Sequence, residues 1–270
     1  MIMHSPRQLP NMDPGLVLFD AYMGKPENYT HYLDRKEFNS IQRFALNCRN
    51  GFNDTILEYV KENHLMVYES GISNNNLNEA IARLPRPMDV RNFWNKEWCN
   101  HQCSFRNQIA DIVQSIPVRH PNITTSTKVI GEIHQAGRKN LQPGYIDGLM
   151  TTKIIVLAQR DGYEDQVRFF EALLSGALVM ADPQIYMPHG VNDGENIIVY
   201  NSWADLEDKI LYYLKNEKER LTIAQGGREF ALIHHEPWHQ AERIYLNDMM
   251  YRNEYGISNK PWRRKDDFAF

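Results

Sequence analysis

The sequence contains little cysteine. Three cysteines in 270 residues are too few for the disulfide framework of a small secreted protein. Cys99 and Cys103 flank His101 in the segment WCNHQC, but zinc needs four ligands and no matching second pair lies nearby. In HHEPWH, Pro237 disrupts the helix that a His-Glu-x-x-His zinc site requires. Ordinary reduced thiols are the better interpretation, and we predict no bound metal.

Long apolar segments are also missing. No stretch approaches the roughly 18 apolar residues of a membrane helix, and the N-terminus has no apolar core of signal-peptide length. We therefore predict a soluble, cytoplasmic protein with no membrane span. The Golgi or secretory lumen is the alternative if the chain is a piece of a longer protein with an N-terminal anchor.

The sequence has no excess of positive charge. Thirty Lys and Arg residues against 34 Asp and Glu residues give a formal charge of −4, which predicts no nucleic-acid partner. No Gly-x-Gly-x-x-Gly follows a predicted strand, which counts against a dinucleotide enzyme. The absence of Gly-x-Ser-x-Gly counts against an α/β-hydrolase.

Short apolar runs alternate with helical patterns along the chain. Before residue 85, strands are predicted at 15–22 and 64–70. Two prolines in Leu84–Asp89 then predict a boundary, because they force extended backbone. Beyond it, helices are predicted to begin after the capping residues Ser104 and Ser202, and the predicted strands are 89–94, 127–131, 153–159, 177–182 and 196–200. This alternation predicts an α/β fold with a parallel, doubly wound sheet.

The segment EDQVRFFEALLSGALVMADP, residues 164–183, places charged residues on an otherwise apolar helix. Ligands of parallel α/β sheets bind outside the carboxyl ends of the strands, so the start of this helix is predicted to face the crevice. Helix N-termini bind anions, and Arg168 can add two donors to a phosphate. Glu171 lies one turn further on and can accept hydrogen bonds from two ribose hydroxyls. The alternative is a solvated surface ion pair, which this spacing commonly forms.

The same segment resembles the nucleotide-sugar-binding half of GT-B glycosyltransferases. The family pattern joins an apolar strand, a loop, Arg-x-x-Glu-Ala-x-x-x-Gly and an apolar strand that closes in Asp. The matching positions are Lys153–Leu157, Gly162, Arg168, Glu171, Ala172, Gly176 and Asp182. The likeness is greatest to the group-1-like domains of spore-maturation type and looser to exostosin-type enzymes. It continues through GENIIVY and covers roughly residues 89–246.

The resemblance implies a Rossmann-like GT-B donor domain at residues 86–250. Residues 1–85 would form a small N-terminal α/β unit, a partial acceptor domain, and residues 251–270 a C-terminal tail. The implied activity is metal-independent and cofactor-free transfer of a sugar from a nucleotide-sugar donor to a glycan, protein or small-molecule acceptor. Glu171 would bind the donor ribose, and Arg168 would lie near the donor phosphates.

Six further residues are weaker candidates. Three belong to the loop before the helix, two to other loops predicted to face the cleft, and one follows the first predicted strand. They are Gly162, Tyr163, Glu164, Lys96, Arg138 and the candidate acceptor base Asp20. The alternative for Lys96 and Arg138 is a solvated loop, and for Asp20 a turn.

Stereochemistry and function keep alternatives at the level of the sequence. Glu164 and Glu171 are seven positions apart, one fewer than in many retaining relatives, so retention and inversion both remain open. A catalytically inactive or truncated glycosyltransferase-like binding or scaffold protein is one alternative function. Another Rossmann-like nucleotide-dependent enzyme is the second.

Overall fold

The computed structural model of the chain describes residues 52–73, 77–93, 104–127, 143–158, 167–183 and 190–234. Its helices are α1 (Phe52–Asn63), α2 (Leu65–Ser73), α3 (Leu77–Ala82), α4 (Ser104–Arg119), α5 (Pro143–Met150), α6 (Val167–Leu174), α7 (Trp203–Lys215) and α8 (Glu217–His234). Its strands are β1 (Met88–Arg91), β2 (Thr125–Ser126), β3 (Thr152–Leu157), β4 (Leu178–Ala181) and β5 (Ile198–Val199).

The strands form one parallel sheet in the order β2-β1-β3-β4-β5. In its register Val90 lies opposite Ile154, and Ile154 lies opposite Leu178. The chain therefore moves outward from β1 to β2 and then returns to place β3 on the other side of β1. The predicted α/β fold class, a Rossmann-like parallel sheet, is confirmed.

Helices cover both faces of the sheet. Alternate residues of β3 point to opposite faces, so Ile154 joins one buried core whereas Ile155 joins the other. Helices α4 and α7 pack in the first core, helices α1, α3, α5 and α6 pack in the second, and α8 contributes to both. A strand covered on both faces needs a continuous apolar run, which is why residues 153–159 were predictable as a strand.

Two details of the prediction change. Residues 64–70, predicted as a strand, lie mainly in helix α2, with Leu65 and Met66 exposed. A short apolar run fits either structure, and periodicity alone does not decide between them. The strand predicted at 127–131 corresponds to β2, which lies at Thr125–Ser126, while residues 128–131 and the predicted strand 15–22 are outside the described residues. The predicted cap is confirmed, because Ser202 Oγ accepts a hydrogen bond from the Asp205 N–H.

Residues on the N-terminal side of the predicted boundary pack against the sheet. Phe52, Ile56 and Ile81 are fully buried in the same core as Leu149 and Phe170. The division of the chain at residue 85 stays a prediction. Among the described helices, none is long and apolar enough to cross a membrane.

Two buried arginines bind the C-terminal end of α6. Arg86 Nη2 donates to the Ser175 carbonyl at 2.6 Å, and Arg228 Nη1 donates to the Leu174 carbonyl. The last carbonyls of a helix have no partner within the helix, so these guanidinium groups satisfy them. Gly176 follows with a φ of 73°, and a Cβ there would lie 3.3 Å from Arg86 Nη2. Glycine thus provides both the left-handed turn and the space for the guanidinium group.

Arg86 also binds the segment that leads into β3. Its Nη1 donates to the Thr152 carbonyl at 2.9 Å and to the Leu149 carbonyl at 3.2 Å. Burial and the nearby charges of Arg220 and Arg228 lower the pKa of Arg86 to about 9, so the group stays charged at neutral pH. Three carbonyl acceptors therefore compensate for the cost of burying this charge.

Replacing Arg86 with lysine should destabilise the fold. A lysine ammonium keeps the charge but lacks the planar fork, so it leaves at least one of the buried carbonyls without a donor. We expect R86K to lower the free energy of unfolding by about 2–4 kcal/mol in urea denaturation. R83K is the control, because the Arg83 side chain is 72% exposed and the exchange should change stability by less than about 0.5 kcal/mol. Equal effects of the two exchanges would contradict the capping role of Arg86.

Asp89 joins the amino ends of three strands. Its Oδ1 accepts from Lys153 Nζ at 2.6 Å, and its Oδ2 accepts from the Thr124 N–H at 2.8 Å and from Thr124 Oγ1 at 3.0 Å. Burial acts to raise the pKa of Asp89, but the hydrogen bonds from Lys153 and Thr124 outweigh it and lower the pKa. The charged carboxylate therefore stabilises the folded chain.

Stability should depend on pH through Asp89. Because folding lowers its pKa, the contribution is present above the ordinary value of 3.8 and is lost as the pH falls through the lower folded value. We expect D89N to cost about 1–3 kcal/mol of unfolding free energy at pH 7, and less as the pH falls below 4. D208N, at an exposed carboxylate of α7, should match the wild type throughout. A D89N deficit that does not change with pH would contradict this account.

Candidate functional site

The strand order places a cleft at the carboxyl ends of β1 and β3. The chain leaves these neighbouring strands in different directions, and ligands of doubly wound sheets bind at such a point. An open cleft of about 210 Å³ lies there, and the described residues that line it come from the two strand ends and from the starts of α4 and α6. They are Asn92, Phe93, Arg106, Val156, Leu157, Ala158 and Arg168.

Arg168 forms one wall of the cleft. It lies in the first turn of α6, and its Nη1 donates to the Phe93 carbonyl at 2.9 Å. Its guanidinium carbon lies 5.4 Å from the ring centroid of Phe93 and 5.8 Å from that of Tyr145, within the range of cation–π attraction. These contacts hold the guanidinium group against the end of β1, where it is preorganised for an anion.

Glu171 lies one turn further along α6 and is almost fully buried. Its side chain is 3% exposed, and its Oε2 accepts a hydrogen bond of 2.5 Å from the Tyr145 hydroxyl. A solvated Arg–Glu surface pair, the alternative interpretation, is therefore wrong. Arg168 Nε lies 3.4 Å from the same hydroxyl oxygen, so Tyr145 links the two side chains.

Tyr145 reaches this position because α5 precedes β3 directly. One residue separates them, so α5 runs back along the strand and its N-terminal end lies near the carboxyl edge of the sheet. Burial and then the charge of Glu171 raise the pKa of Tyr145 well above its ordinary value, while Arg168 acts in the opposite direction. The phenol therefore keeps its proton and acts as a hydrogen-bond donor.

Arg106 and Asn92 complete the cleft. Arg106 Nε donates to the Ala158 carbonyl at 2.8 Å, and Asn92 Nδ2 donates to the Val156 carbonyl at 2.9 Å. Two guanidinium groups thus line the cleft, and none of its described lining residues is acidic. This arrangement favours an anionic ligand.

The structure brings two of the predicted site residues together. Arg168 and Glu171 belong to one hydrogen-bonded network through Tyr145. The other candidates, Asp20, Lys96, Arg138, Gly162, Tyr163 and Glu164, lie outside the described residues. Their roles stay predictions.

Sequence reasoning missed Tyr145, Arg106 and Asn92. Arg106 had a usable signal, because it lies in the first turn of a helix that follows a predicted strand, as Arg168 does. Asn92 was read as part of the strand 89–94, whereas β1 ends at Arg91. Nothing in the local pattern identified Tyr145, whose importance depends on a contact 26 residues away.

A metal site has no support within the described ranges. No group of three or more His, Cys, Asp or Glu side chains there could hold a metal ion. The weighed cluster of Cys99, His101 and Cys103 lies outside those ranges.

Residues 76–245 match the family model described as glycosyl transferase-like. That segment covers more than half of the chain. No curated protein sequence matches it.

Solved structures give weaker similarities. The C-terminal domain of LpcC from Francisella tularensis, a group 1 glycosyl transferase, is 16% identical, with 57% of this chain and 89% of that chain covered and a TM-score of 0.42. S. aureus TarM, in complex with fondaparinux, alpha-GlcNAc-glycerol and UDP, is 16% identical, with 63% and 36% covered and a TM-score of 0.46. Anabaena HepE, in complex with UDP-glucose, is 14% identical, with 66% and 52% covered and a TM-score of 0.41. The chain thus matches only part of the two longer proteins, and scores this low carry no functional argument.

The cleft floor depends on Asn92, which should be visible in stability. Asn92 is 3% exposed, so N92A removes a buried donor from the Val156 carbonyl. We expect a loss of about 1–3 kcal/mol in unfolding free energy. N63A is the matched control, because the Asn63 amide donates to the Tyr59 carbonyl at 2.9 Å in an exposed position where water can replace it. A loss in N92A no larger than that in N63A would contradict the role assigned to the buried bond.

Proposed function

The chain belongs to the glycosyl transferase-like family, and on that premise we propose that it transfers a sugar from a nucleotide-sugar donor to an acceptor. The family assignment confirms the resemblance to GT-B group 1 glycosyltransferases, whereas the spore-maturation or exostosin-like subtype stays a prediction. The observation that carries the proposal is the pairing of this family match with a cationic cleft at the carboxyl edge of the sheet.

The reaction breaks the bond between the anomeric carbon and the donor phosphate oxygen. A bond from the acceptor oxygen to that carbon forms, the acceptor hydroxyl loses its proton to a base, and the nucleoside diphosphate leaves with the electron pair. Negative charge therefore develops on the leaving diphosphate. Groups that stabilise this charge lower the barrier.

We assign the stabilising role to Arg168. Its guanidinium group lines the cleft in the first turn of α6, where the helix dipole also favours an anion. Glu171 accepts hydrogen bonds from the ribose hydroxyls in this proposal. Asp20 remains the candidate base, and the acceptor remains a glycan, a protein or a small molecule.

We propose that transfer requires neither a metal nor a cofactor. Guanidinium groups can stabilise the charge that a divalent cation neutralises in metal-dependent transferases. Addition of a chelator should accordingly leave turnover unchanged.

Nucleotide binding tests the proposal directly. Calorimetric titration of the full chain with UDP, GDP, ADP and UDP-glucose should identify at least one ligand. E171A and R168A should each weaken its binding about tenfold to hundredfold, because each removes a charge-assisted hydrogen bond. R119A and E207A are the controls, since Arg119 and Glu207 form an exposed 2.6 Å ion pair away from the cleft. Those two variants should bind as the wild type does.

The outcomes separate the alternatives. Release of the nucleoside diphosphate in the presence of an acceptor supports transfer. Binding without transfer to any acceptor in a broad panel would favour the glycosyltransferase-like binding or scaffold protein. Failure of folded wild-type protein to bind any nucleotide would overturn the donor-site proposal.

A further inference from the structure

One tyrosine hydroxyl joins the two proposed donor-binding side chains. Tyr145 donates to Glu171 Oε2 at 2.5 Å, and Arg168 Nε lies 3.4 Å from the same hydroxyl oxygen. The three groups come from two elements, because Tyr145 lies on α5 whereas Arg168 and Glu171 lie on α6. A chain of donors therefore leads from a guanidinium group through a phenol to a carboxylate.

The direction of this chain strengthens the hydrogen bond to Glu171. A cation close to the phenol oxygen polarises the O–H group and makes it a better donor. Burial keeps the phenol protonated by raising the pKa of Tyr145. The bond therefore persists across the physiological pH range and fixes the orientation of the carboxylate.

A fixed carboxylate can select its ligand. A carboxylate offers about four acceptor positions, and the Tyr145 hydroxyl occupies one of them. Two adjacent hydroxyls of a ribose need acceptors in a defined plane, whereas a freely rotating carboxylate would lose entropy on binding them. The phenol removes that rotation before the ligand arrives.

We propose that Tyr145 is a positioning residue that makes the site selective for ribonucleotides over 2′-deoxyribonucleotides. This inference rests on the proposed function, because it assumes that Glu171 contacts the ribose. It adds a residue and a specificity that the family match does not supply.

The ring of Tyr145 has a packing role that must be kept apart from its hydroxyl. The ring lies edge-on to Phe93, with centroids 5.4 Å apart, and is buried in the same core. Phenylalanine retains this packing and removes only the oxygen. Y145F therefore isolates the hydrogen bond.

The experiment compares each ribonucleotide with its 2′-deoxy counterpart. For the nucleoside diphosphate that binds most tightly, the ratio of the two dissociation constants is measured by calorimetry in the wild type, Y145F, E171A and the double variant. We expect the wild type to prefer the ribonucleotide about tenfold or more, since a hydrogen bond to a charged group contributes that much. Y145F should lower the preference below about threefold, and the double variant should resemble E171A.

Y59F is the matched control. The Tyr59 hydroxyl also donates to a carboxylate, Asp147 Oδ1 on α5, at 2.7 Å, but in an exposed position. It therefore removes a phenol–carboxylate bond from the same helix without touching Glu171. Y59F should keep the wild-type preference.

The preference ratio does not depend on the fraction of folded protein, so partial destabilisation does not distort it. If Y145F fails to fold, Y145M replaces it, because methionine fills irregular space and has no hydroxyl. Retention of the full preference in the tyrosine variant, with its loss in E171A, would overturn the inference and leave the proposed function standing. Tighter binding of a deoxynucleotide by the wild type would also overturn it. Absence of all nucleotide binding would instead remove the proposed function, and the inference with it.

Discussion

Helix α6 carries both proposed donor-binding side chains, and two buried guanidinium groups hold its C-terminal end. Arg228 binds the Leu174 carbonyl and Arg86 binds the Ser175 carbonyl. The same guanidinium groups also bind α1, α3 and the segment that leads into β3, since Arg228 contacts Asn side chains of both helices. Elements that are distant in the sequence therefore meet at one end of one short helix. An α6 without these contacts would have unsatisfied carbonyls in the core.

The opposite end of α6 faces the cleft and is equally constrained. Arg168 binds the Phe93 carbonyl at the end of β1, and Glu171 binds the Tyr145 hydroxyl at the start of α5. Side chains held in this way lose little further entropy when a ligand binds. The arginine contacts at one end of α6 thus support preorganised binding groups at the other. This is how a core that is far from the ligand contributes to the site.

The predictable and unpredictable parts of the chain differ in how local they are. The strand predicted at 177–182 corresponds to Leu178–Ala181, because an apolar run of that length is typical of a strand buried on both faces. The run at 64–70 was assigned wrongly, since its length and composition also suit a helix that packs one side on the core. Arg168 and Glu171 were identified from their spacing on one helix. Tyr145 and Arg106 were not, because their neighbours come from other elements.

The sequence by itself determined the alternation of strands and helices, the parallel sheet that follows from it, and the helix that carries Arg168 and Glu171. These features depend on residues within a few positions of each other, whose spacing sets which face is buried. Only the tertiary structure decided that β1 and β3 are neighbours and that their ends open a cleft. It also decided that Tyr145 meets Glu171 across 26 residues and that Arg86 meets Ser175 across 89. Such contacts form only when separate elements pack together, and no local pattern encodes which of them will meet.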